Sequence, residues 1–172
     1  MNFPDACLFD LDGVLLDTEP LHGKAWTETA ACFGLNLNNN QLKLLQGRRR
    51  DDCANQIISW LSRESSVNEI LKVHKPISRK FIKEAKSIQG AEELVNWCIN
   101  KKLPIALVTS SSESSVAYKT APHAWIEMFS MRIYGDNKDL LGGKPEPFPY
   151  LLAAKKLDLD PKDCWVIEDS SS

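Results

Sequence analysis

Apolar runs and helical patterns alternate along much of the chain. Apolar segments with the length of buried strands occur at about 6–11, 104–109, 131–134 and 164–167. The segments between these runs have helical periodicity. In the helix expected just before residue 104, for example, Leu94, Val95 and Cys98 lie on one face. Strands that alternate with helices are typical of a parallel sheet with crossover helices. The pattern therefore predicts an α/β fold with a three-layer α/β/α core.

A long helical stretch interrupts this alternation after the first strand. Pro20 suits the first turn of a helix, which should stop at Gly34. A later helix has an apolar stripe formed by Cys53, Ile57, Trp60 and Leu61. The last helical pattern is expected to be interrupted near Pro76. We therefore expect a discontinuous α/β core of residues 1–17 and 87–172, with residues 18–86 inserted after the first strand as a helical domain.

Composition and charge narrow the function classes. The chain has 172 residues, 43% of them hydrophobic, which suffices for one sizeable core or for a core plus a small domain. The net charge of -2 does not favour binding to nucleic acid or to an acidic membrane surface. The five cysteines are scattered, as in a reduced cytoplasmic protein, and neither a leader peptide nor a membrane span is recognisable. We expect a cytoplasmic monomer.

Two aspartates end the first apolar run. Asp10 and Asp12 stand one residue apart and are followed by Gly13. Since alternate side chains of a strand point to the same face, both carboxylates should project from the carboxyl end of the strand, where α/β sheets bind ligands. Such a pair suits a divalent cation, or a nucleophile beside a proton donor. The alternative is a strand that runs into an ordinary Asp-Gly turn.

Three later segments also place polar groups near strand ends. One strand is followed by Ser110 and Ser111, whose hydroxyl and N–H groups suit phosphate oxygens, although a mobile serine loop is the alternative. Lys144 lies in a Gly-Gly-Lys-Pro loop before a helix, where a solvated lysine is the alternative. The last strand ends in Glu168 and Asp169. Two strands of one sheet that both end in acids are hard to explain by packing alone.

The four segments, in this order, resemble the motifs of the haloacid dehalogenase superfamily. The resemblance is to its phosphatase and phosphomutase branch, which has a Rossmann-like core and a helical cap domain after the first strand. It implies that Asp10 is the nucleophile, which forms an aspartyl-phosphate, and that Asp12 is the general acid and base. Ser110, Ser111 and Lys144 would bind the phosphoryl group.

The resemblance also implies an Mg²⁺ cofactor. Asp169, supported by Glu168, would complete the metal site with the Asp10 carboxylate and the Asp12 backbone carbonyl. A cation and a lysine would offset the negative charge that a carboxylate nucleophile must approach. Asp12 argues against a dehalogenase, because that reaction has no alkoxide leaving group that needs a proton.

Within that branch, the inserted domain resembles the cap of β-phosphoglucomutase and its phosphatase relatives. His22 and Trp26 fall in the linker and first cap helix, and Gly47 and Arg50 fall where the mutase has a loop that grips the far end of its substrate. An arginine at position 50 could bind a second phosphate through two hydrogen bonds. The alternatives are a solvated helix start for Arg50, a hinge role for His22 and a core position for Trp26.

The family pattern extends beyond the last residue of this chain. Related proteins continue after the Glu-Asp-Ser segment with a glycine, a helix and at least one more strand, whereas this sequence stops at Ser172, so we expect a truncated chain. The expected function is that of an Mg²⁺-dependent phosphatase of a small phosphorylated metabolite, such as a sugar phosphate, with no nucleic-acid or membrane partner. Two alternatives stay open: a sugar phosphomutase, and a catalytically impaired binding protein with the same fold.

Overall fold

The structure is a computed structural model, and it describes residues 3–46, 48 and 50–170. The chain divides into an α/β unit, Met1–Asp17 with Lys86–Ser172, and a helical unit, Thr18–Ala85. The helical unit thus ends one residue before the expected boundary. Among the described residues, no helix has both the length and the apolar character needed to cross a membrane.

The α/β unit is built on a parallel sheet of four strands. In chain order, the elements of the whole structure are β1 (Ala6–Phe9), β2 (Leu16–Asp17), α1 (Glu19–Cys32), α2 (Asn39–Lys43), α3 (Arg50–Trp60), α4 (Val67–Ile82), β3 (Lys86–Ser87), α5 (Ala91–Asn100), β4 (Ile105–Val108), α6 (Glu113–Thr120), β5 (Met131–Ile133), α7 (Phe148–Lys156) and β6 (Cys164–Ile167), with short 3-10 helices at Ala124–Met128 and Pro161–Asp163. The sheet order is β5-β4-β1-β6, and every neighbouring pair runs parallel. The carboxyl ends of these strands therefore meet at one edge of the sheet.

Helices cover both faces of this sheet. Helix α7 packs on one face, in a cluster formed by Ala6, Leu8, Ala106, Val108, Ile133 and Ala153. On the other face, Cys7 contacts Cys98 of α5, and the Phe9 ring meets the Phe129 ring edge to face at 5.6 Å. This alternation of neighbouring β1 side chains is the two-residue period of a strand. The predicted α/β fold class is confirmed.

The first strand is shorter than predicted. It ends at Phe9 rather than at residue 11, because the Leu11 carbonyl accepts hydrogen bonds from the N–H groups of Leu15 and Leu16 and so closes a turn. Leu16 then begins β2, which pairs antiparallel with β3 where the chain leaves and re-enters the α/β unit.

In the helical unit, α4 corrects one sequence-based expectation. The helix runs without a break through Pro76, whereas an interruption was expected there. Pro76 and Lys72, whose carbonyl loses its helical partner, are both exposed, so water can replace the missing hydrogen bond. The start of α4 is well fixed, because Ser66 and Glu69 form a reciprocal capping box.

The core of the helical unit contains a buried histidine. His74 stacks on the Trp26 ring at a centroid distance of 3.6 Å, and its Nδ1 lies 3.0 Å from the Thr29 hydroxyl oxygen. The surrounding cluster consists of Trp26, Ala30, Leu45, Cys53, Ala54, Ile57 and Ile70. Burial lowers the pKa of His74 to about 3, and the positive charges of Arg50 and His22 add to this effect.

Candidate active site

Asp10 directly follows β1, at the edge where the parallel strands end. Its N–H still donates to the Ile167 carbonyl of β6 at 3.0 Å, so the backbone is held while the side chain leaves the sheet. Gly13 follows with φ of +85°, a conformation that other residues rarely adopt. A Cβ atom at Gly13 would lie 2.1 Å from Asp169 Oδ2. The turn therefore favours glycine here, and any larger residue would also displace the Asp169 carboxylate.

Three acids from two strand ends form one cluster. Carboxylate oxygens of Asp10, Glu168 and Asp169 all lie within 4.8 Å of one another. Asp10 is buried, Glu168 is partly buried and Asp169 is exposed. Hard oxygen donors at this spacing suit Mg²⁺, which prefers carboxylates and keeps several waters. The donor set thus fits the expected cation.

Lys144 contributes a positive charge to the same place. Its Nζ donates to Asp10 Oδ1 at 2.7 Å and to Glu168 Oε2 at 2.5 Å. It also lies 4.8 Å from the centroid of the Tyr150 ring, and the Tyr150 hydroxyl donates a short hydrogen bond to Glu168. The lysine therefore links the acid after β1 to the acid after β6.

These contacts set the charge states of the acids. Burial raises the pKa of Asp10 to about 6, although the Lys144 ammonium acts in the opposite direction. Burial also acts to raise the pKa of Glu168, but hydrogen bonds from Lys144 and Tyr150 outweigh it and leave that pKa below its usual value. Asp169 is exposed as a residue, but its carboxylate is partly desolvated, and this desolvation together with the nearby charge of Glu168 raises its pKa. A bound cation would favour the ionised forms of Asp10 and Asp169.

The Asp12 carboxylate has different partners. It accepts from Lys119 Nζ, with Oδ1 at 2.6 Å, and from the Ser111 hydroxyl at 3.1 Å. Lys119 also donates to Ser111 Oγ at 2.7 Å, which closes a triangle of three side chains. The two aspartates of the motif are therefore bound by two different lysines.

Backbone groups of Ser111 fix the serine loop through hydrogen bonds to Thr109 and Gly135. The Ser111 N–H donates to Thr109 Oγ1 at 3.1 Å, and the Ser111 carbonyl accepts from the Gly135 N–H at 2.9 Å. A Cβ atom at Gly135 would meet the Ser110 carbonyl oxygen at 2.1 Å, so the chain after β5 can pass close to this loop only as glycine. Ser110 is exposed, whereas the Ser111 hydroxyl is engaged with Asp12 and Lys119.

The remaining sequence-based candidates belong to the helical unit. Trp26 is buried in its core against His74, His22 is partly buried and Arg50 is exposed at the start of α3. Gly47 lies outside the described residues. The structure thus brings together Asp10, Lys144, Glu168 and Asp169 in the α/β unit. The Asp12 carboxylate and Ser111 of the serine loop instead contact Lys119.

Sequence reasoning missed two polar residues at this site, Lys119 and Tyr150. The sequence places Lys119 at helical spacing from Val116 and Thr120, and the structure buries all three on one face of α6. A lysine on such a stripe needs a buried anionic partner. Tyr150 has no comparable signal, since an aromatic residue in α7 is equally expected as packing.

The chain is similar to known proteins over most of its length. A family model described as a haloacid dehalogenase-like hydrolase matches residues 4–172. The chain is 28% identical over 169 residues to the phosphorylated carbohydrates phosphatase of Thermotoga maritima, which covers 98% of this chain and 77% of that relative. It is 30% identical over 164 residues to the bifunctional riboflavin kinase/FMN phosphatase of Arabidopsis thaliana, covering 95% of this chain but only 43% of the relative.

A solved structure is similar over almost the whole chain. The HAD hydrolase, family IA, variant 3, of Entamoeba histolytica HM-1:IMSS has a TM-score of 0.83 and 28% sequence identity, and the match covers 97% of this chain and 76% of that one. The chain therefore spans less than half of the Arabidopsis protein and about three quarters of the other two proteins.

Proposed function

Because the chain belongs to the haloacid dehalogenase-like hydrolases, in a group with phosphoric monoester hydrolases, we propose that it hydrolyses a small phosphorylated metabolite through an aspartyl-phosphate on Asp10. The observation that carries the proposal is the cluster at the strand ends. Asp10 is buried beside Lys144, and two further acids converge on it. A phosphatase of sugar phosphates or similar esters is the specific form that we propose.

In the first step, an Asp10 carboxylate oxygen attacks the phosphorus atom of the monoester. The bond between phosphorus and the ester oxygen breaks, and Asp12, which enters this step in its protonated form, gives that proton to the leaving oxygen. In the second step, Asp12 takes a proton from a water molecule that attacks the aspartyl-phosphate. The bond between phosphorus and Asp10 breaks, so phosphate leaves and the Asp10 carboxylate is restored.

Asp10, Glu168 and Asp169, together with the Asp12 backbone carbonyl, would hold Mg²⁺. When bound, this cation would neutralise negative charge on the phosphoryl oxygens. Support for this assignment comes from the spacing of the three carboxylates.

Lys144 and the serine loop complete the proposed phosphoryl site. The Lys144 ammonium would bind a phosphoryl oxygen while it keeps Asp10 ionised. Ser110 would donate from its exposed position after β4. Ser111 is not proposed as a phosphoryl donor, because its N–H donates to Thr109 Oγ1 and its hydroxyl donates to Asp12. Positioning and charge neutralisation are the main demands of phosphoryl transfer, and these groups meet both.

Substrate choice is assigned to the helical unit. Arg50, with His22 and the neighbouring Gly47, is proposed to bind the part of the substrate away from the transferred phosphate, whereas the burial of Trp26 favours a packing role. A second anion bound by Arg50 would favour the mutase alternative, in which the phosphoryl group returns to another hydroxyl. The intact acidic cluster argues against a chain that only binds.

A phosphate-release screen over sugar phosphates, nucleotides and aryl phosphates, with Mg²⁺ present, tests the proposal. We expect release by the parent chain and none by Asp10→Asn, which keeps the shape of the side chain but lacks a nucleophilic oxygen of comparable strength. An interconversion assay on glucose phosphates, run in parallel, identifies a mutase. Equal release by the parent and Asp10→Asn would refute the proposed mechanism.

A further inference from the structure

We propose that Lys119 is a positioning residue for the reaction, and that it fixes the Asp12 side chain in the orientation in which Asp12 transfers protons. The inference rests on the proposed function of Asp12. It assigns a role to a lysine that the phosphoryl and metal sites do not use.

The burial of Lys119 requires an explanation. Only 2% of the residue is exposed, and an ammonium group removed from water is strongly destabilising unless a charged partner compensates it. Lys119 has that partner in Asp12, which accepts through both carboxylate oxygens. The amine also donates to Ser111 Oγ, so its three N–H donors are accounted for by three acceptor atoms.

The contact with both oxygens restricts rotation of the Asp12 carboxylate. Ser111 restricts it further, because its hydroxyl donates to Asp12 Oδ2 at 3.1 Å. A carboxylate held from two sides has one orientation, and proton transfer is sensitive to a displacement of an ångström or less.

The same contacts keep the two aspartates functionally apart. Asp10 has Lys144 as its cation, and the acidic cluster contains Asp10, Glu168 and Asp169 but not the Asp12 carboxylate. Lys119 thus gives Asp12 its own electrostatic partner, 107 residues away in the sequence.

Helix α6 presents this lysine from a fixed frame. The Ser112 side chain caps the helix by accepting from the Ser115 N–H, and Val116 and Thr120 are buried on the same face as Lys119. The Thr120 hydroxyl donates to the Val116 carbonyl at 3.0 Å. The lysine therefore extends from a helix whose own position does not depend on the Asp12 contact alone.

A lysine that only stabilises the fold would affect all substrates equally, and this difference defines the test. The variants are Lys119→Met, Lys119→Arg, Asp12→Asn and the double variant Asp12→Asn/Lys119→Met, each in the full chain with saturating Mg²⁺. The substrates are phenyl phosphate and para-nitrophenyl phosphate, which have similar shapes, but phenyl phosphate has the poorer leaving group. Both kcat and KM are measured for each pair.

We expect Lys119→Met to lower kcat for phenyl phosphate by roughly tenfold or more, with a clearly smaller loss for para-nitrophenyl phosphate and little change in KM. Lys119→Arg should recover part of that loss, because it keeps a cation beside Asp12. In the Asp12→Asn background, Lys119→Met should have almost no further effect, since the group that it positions is already absent.

Equal losses for the two esters, or an undiminished effect of Lys119→Met in the Asp12→Asn background, would overturn the inference and leave a structural role. If Lys119→Met does not fold, as judged by circular dichroism, Lys119→Arg carries the test, and it should show a smaller loss with the same dependence on the leaving group. If Asp12→Asn itself shows no such dependence, the proposed role of Asp12 fails, and the assignment of Lys119 fails with it. A loss confined to the Asp12 variant would refute the Lys119 assignment alone.

Discussion

Lys144 Nζ lies 2.7 Å from Asp10 Oδ1 and therefore binds the proposed nucleophile through an ion pair. The same amine binds Glu168, so the acid that follows β1 and the acid that follows β6 share one cation. Burial alone would favour the neutral form of Asp10, whereas attack on phosphorus requires the carboxylate. Lys144 therefore favours the reactive carboxylate form of Asp10 at a buried position, where water does not stabilise the charge.

Tyr150→Phe tests whether Glu168 must be held in place. The change removes only the hydroxyl that donates to Glu168 and keeps the ring beside Lys144. We expect a roughly tenfold loss of kcat/KM and a higher Mg²⁺ concentration for half-maximal activity, because a hydrogen bond to a charged metal ligand is lost. Tyr118→Phe, which removes a tyrosine hydroxyl at an exposed position of the same unit, is the control. Similar behaviour of the two variants would count against this role of Tyr150.

Gly13→Ala tests the close approach of Asp169. An added Cβ atom would lie 2.1 Å from Asp169 Oδ2, so the carboxylate must shift from its position in the acidic cluster. Gly90→Ala is the matched control, because Gly90 also has a positive φ, of +86°, but nothing within 4 Å of the added atom. Both variants should lose about 1–2 kcal/mol of stability from backbone strain. Only Gly13→Ala should also weaken activation by Mg²⁺, and an unchanged titration midpoint would contradict the proposed metal site.

His74 makes the stability of the chain depend on pH in a defined direction. Its pKa is about 3 in the folded chain and 6.5 in the reference state, so the unfolded chain binds the proton first as the pH falls. This contribution to stability is therefore complete above pH 6.5 and decreases as the pH falls from 6.5 towards about 3. Arg50 and His22 are the charged groups that favour neutral His74.

Urea unfolding, followed by tryptophan fluorescence, measures this effect. Between pH 6.5 and about pH 5, the parent should lose about 2 kcal/mol more of its free energy of unfolding than His74→Gln does. Above pH 7 the two proteins should show parallel pH dependence, which serves as the internal control. If the free energies of unfolding of the two proteins also changed in parallel at acidic pH, His74 would take up its proton in the folded chain as readily as in the unfolded chain.

Arg50→Ala tests the proposed specificity of the helical unit. If Arg50 binds a second anion, the variant should lose roughly tenfold to a hundredfold in kcat/KM on fructose 1,6-bisphosphate but react normally with phenyl phosphate. Arg48→Ala is the control for general charge, since Arg48 is also exposed and binds Gln56 at 3.2 Å. A parallel response of both substrates would remove the main reason for the mutase alternative.

The three acids of the cluster could be predicted because they stand where an apolar run ends. Asp10, Glu168 and Asp169 are placed by the strands that precede them, and parallel strands bring their carboxyl ends to one edge. The family resemblance inferred from these segments is confirmed by the family model. Lys144 was predictable only from its neighbours in the Gly-Gly-Lys-Pro loop, because a loop has no periodic pattern that predicts where a side chain points.

The pairing of Asp12 with Lys119 could not be predicted from spacing. It depends on how α6 packs beside the end of β1, which is a tertiary relationship between distant segments. The continuity of α4 through Pro76 likewise depends on exposure of the helix face that carries the proline. Local sequence rules describe neither the Asp12–Lys119 pair nor the continuous helix at Pro76. Both depend on which face of α6 or α4 is buried and which faces water.

The covalent intermediate on Asp10 is the central claim, and chemical trapping tests it most directly. The parent chain is mixed with para-nitrophenyl phosphate and Mg²⁺, quenched in acid within the first turnover, and reduced with borohydride, which converts an aspartyl-phosphate to homoserine. Peptide mass spectrometry then locates the change. We expect homoserine at position 10 in the parent, and none without substrate or in Asp10→Asn. Reduction at another acid, or turnover with no reduced residue at position 10, would contradict the proposed mechanism.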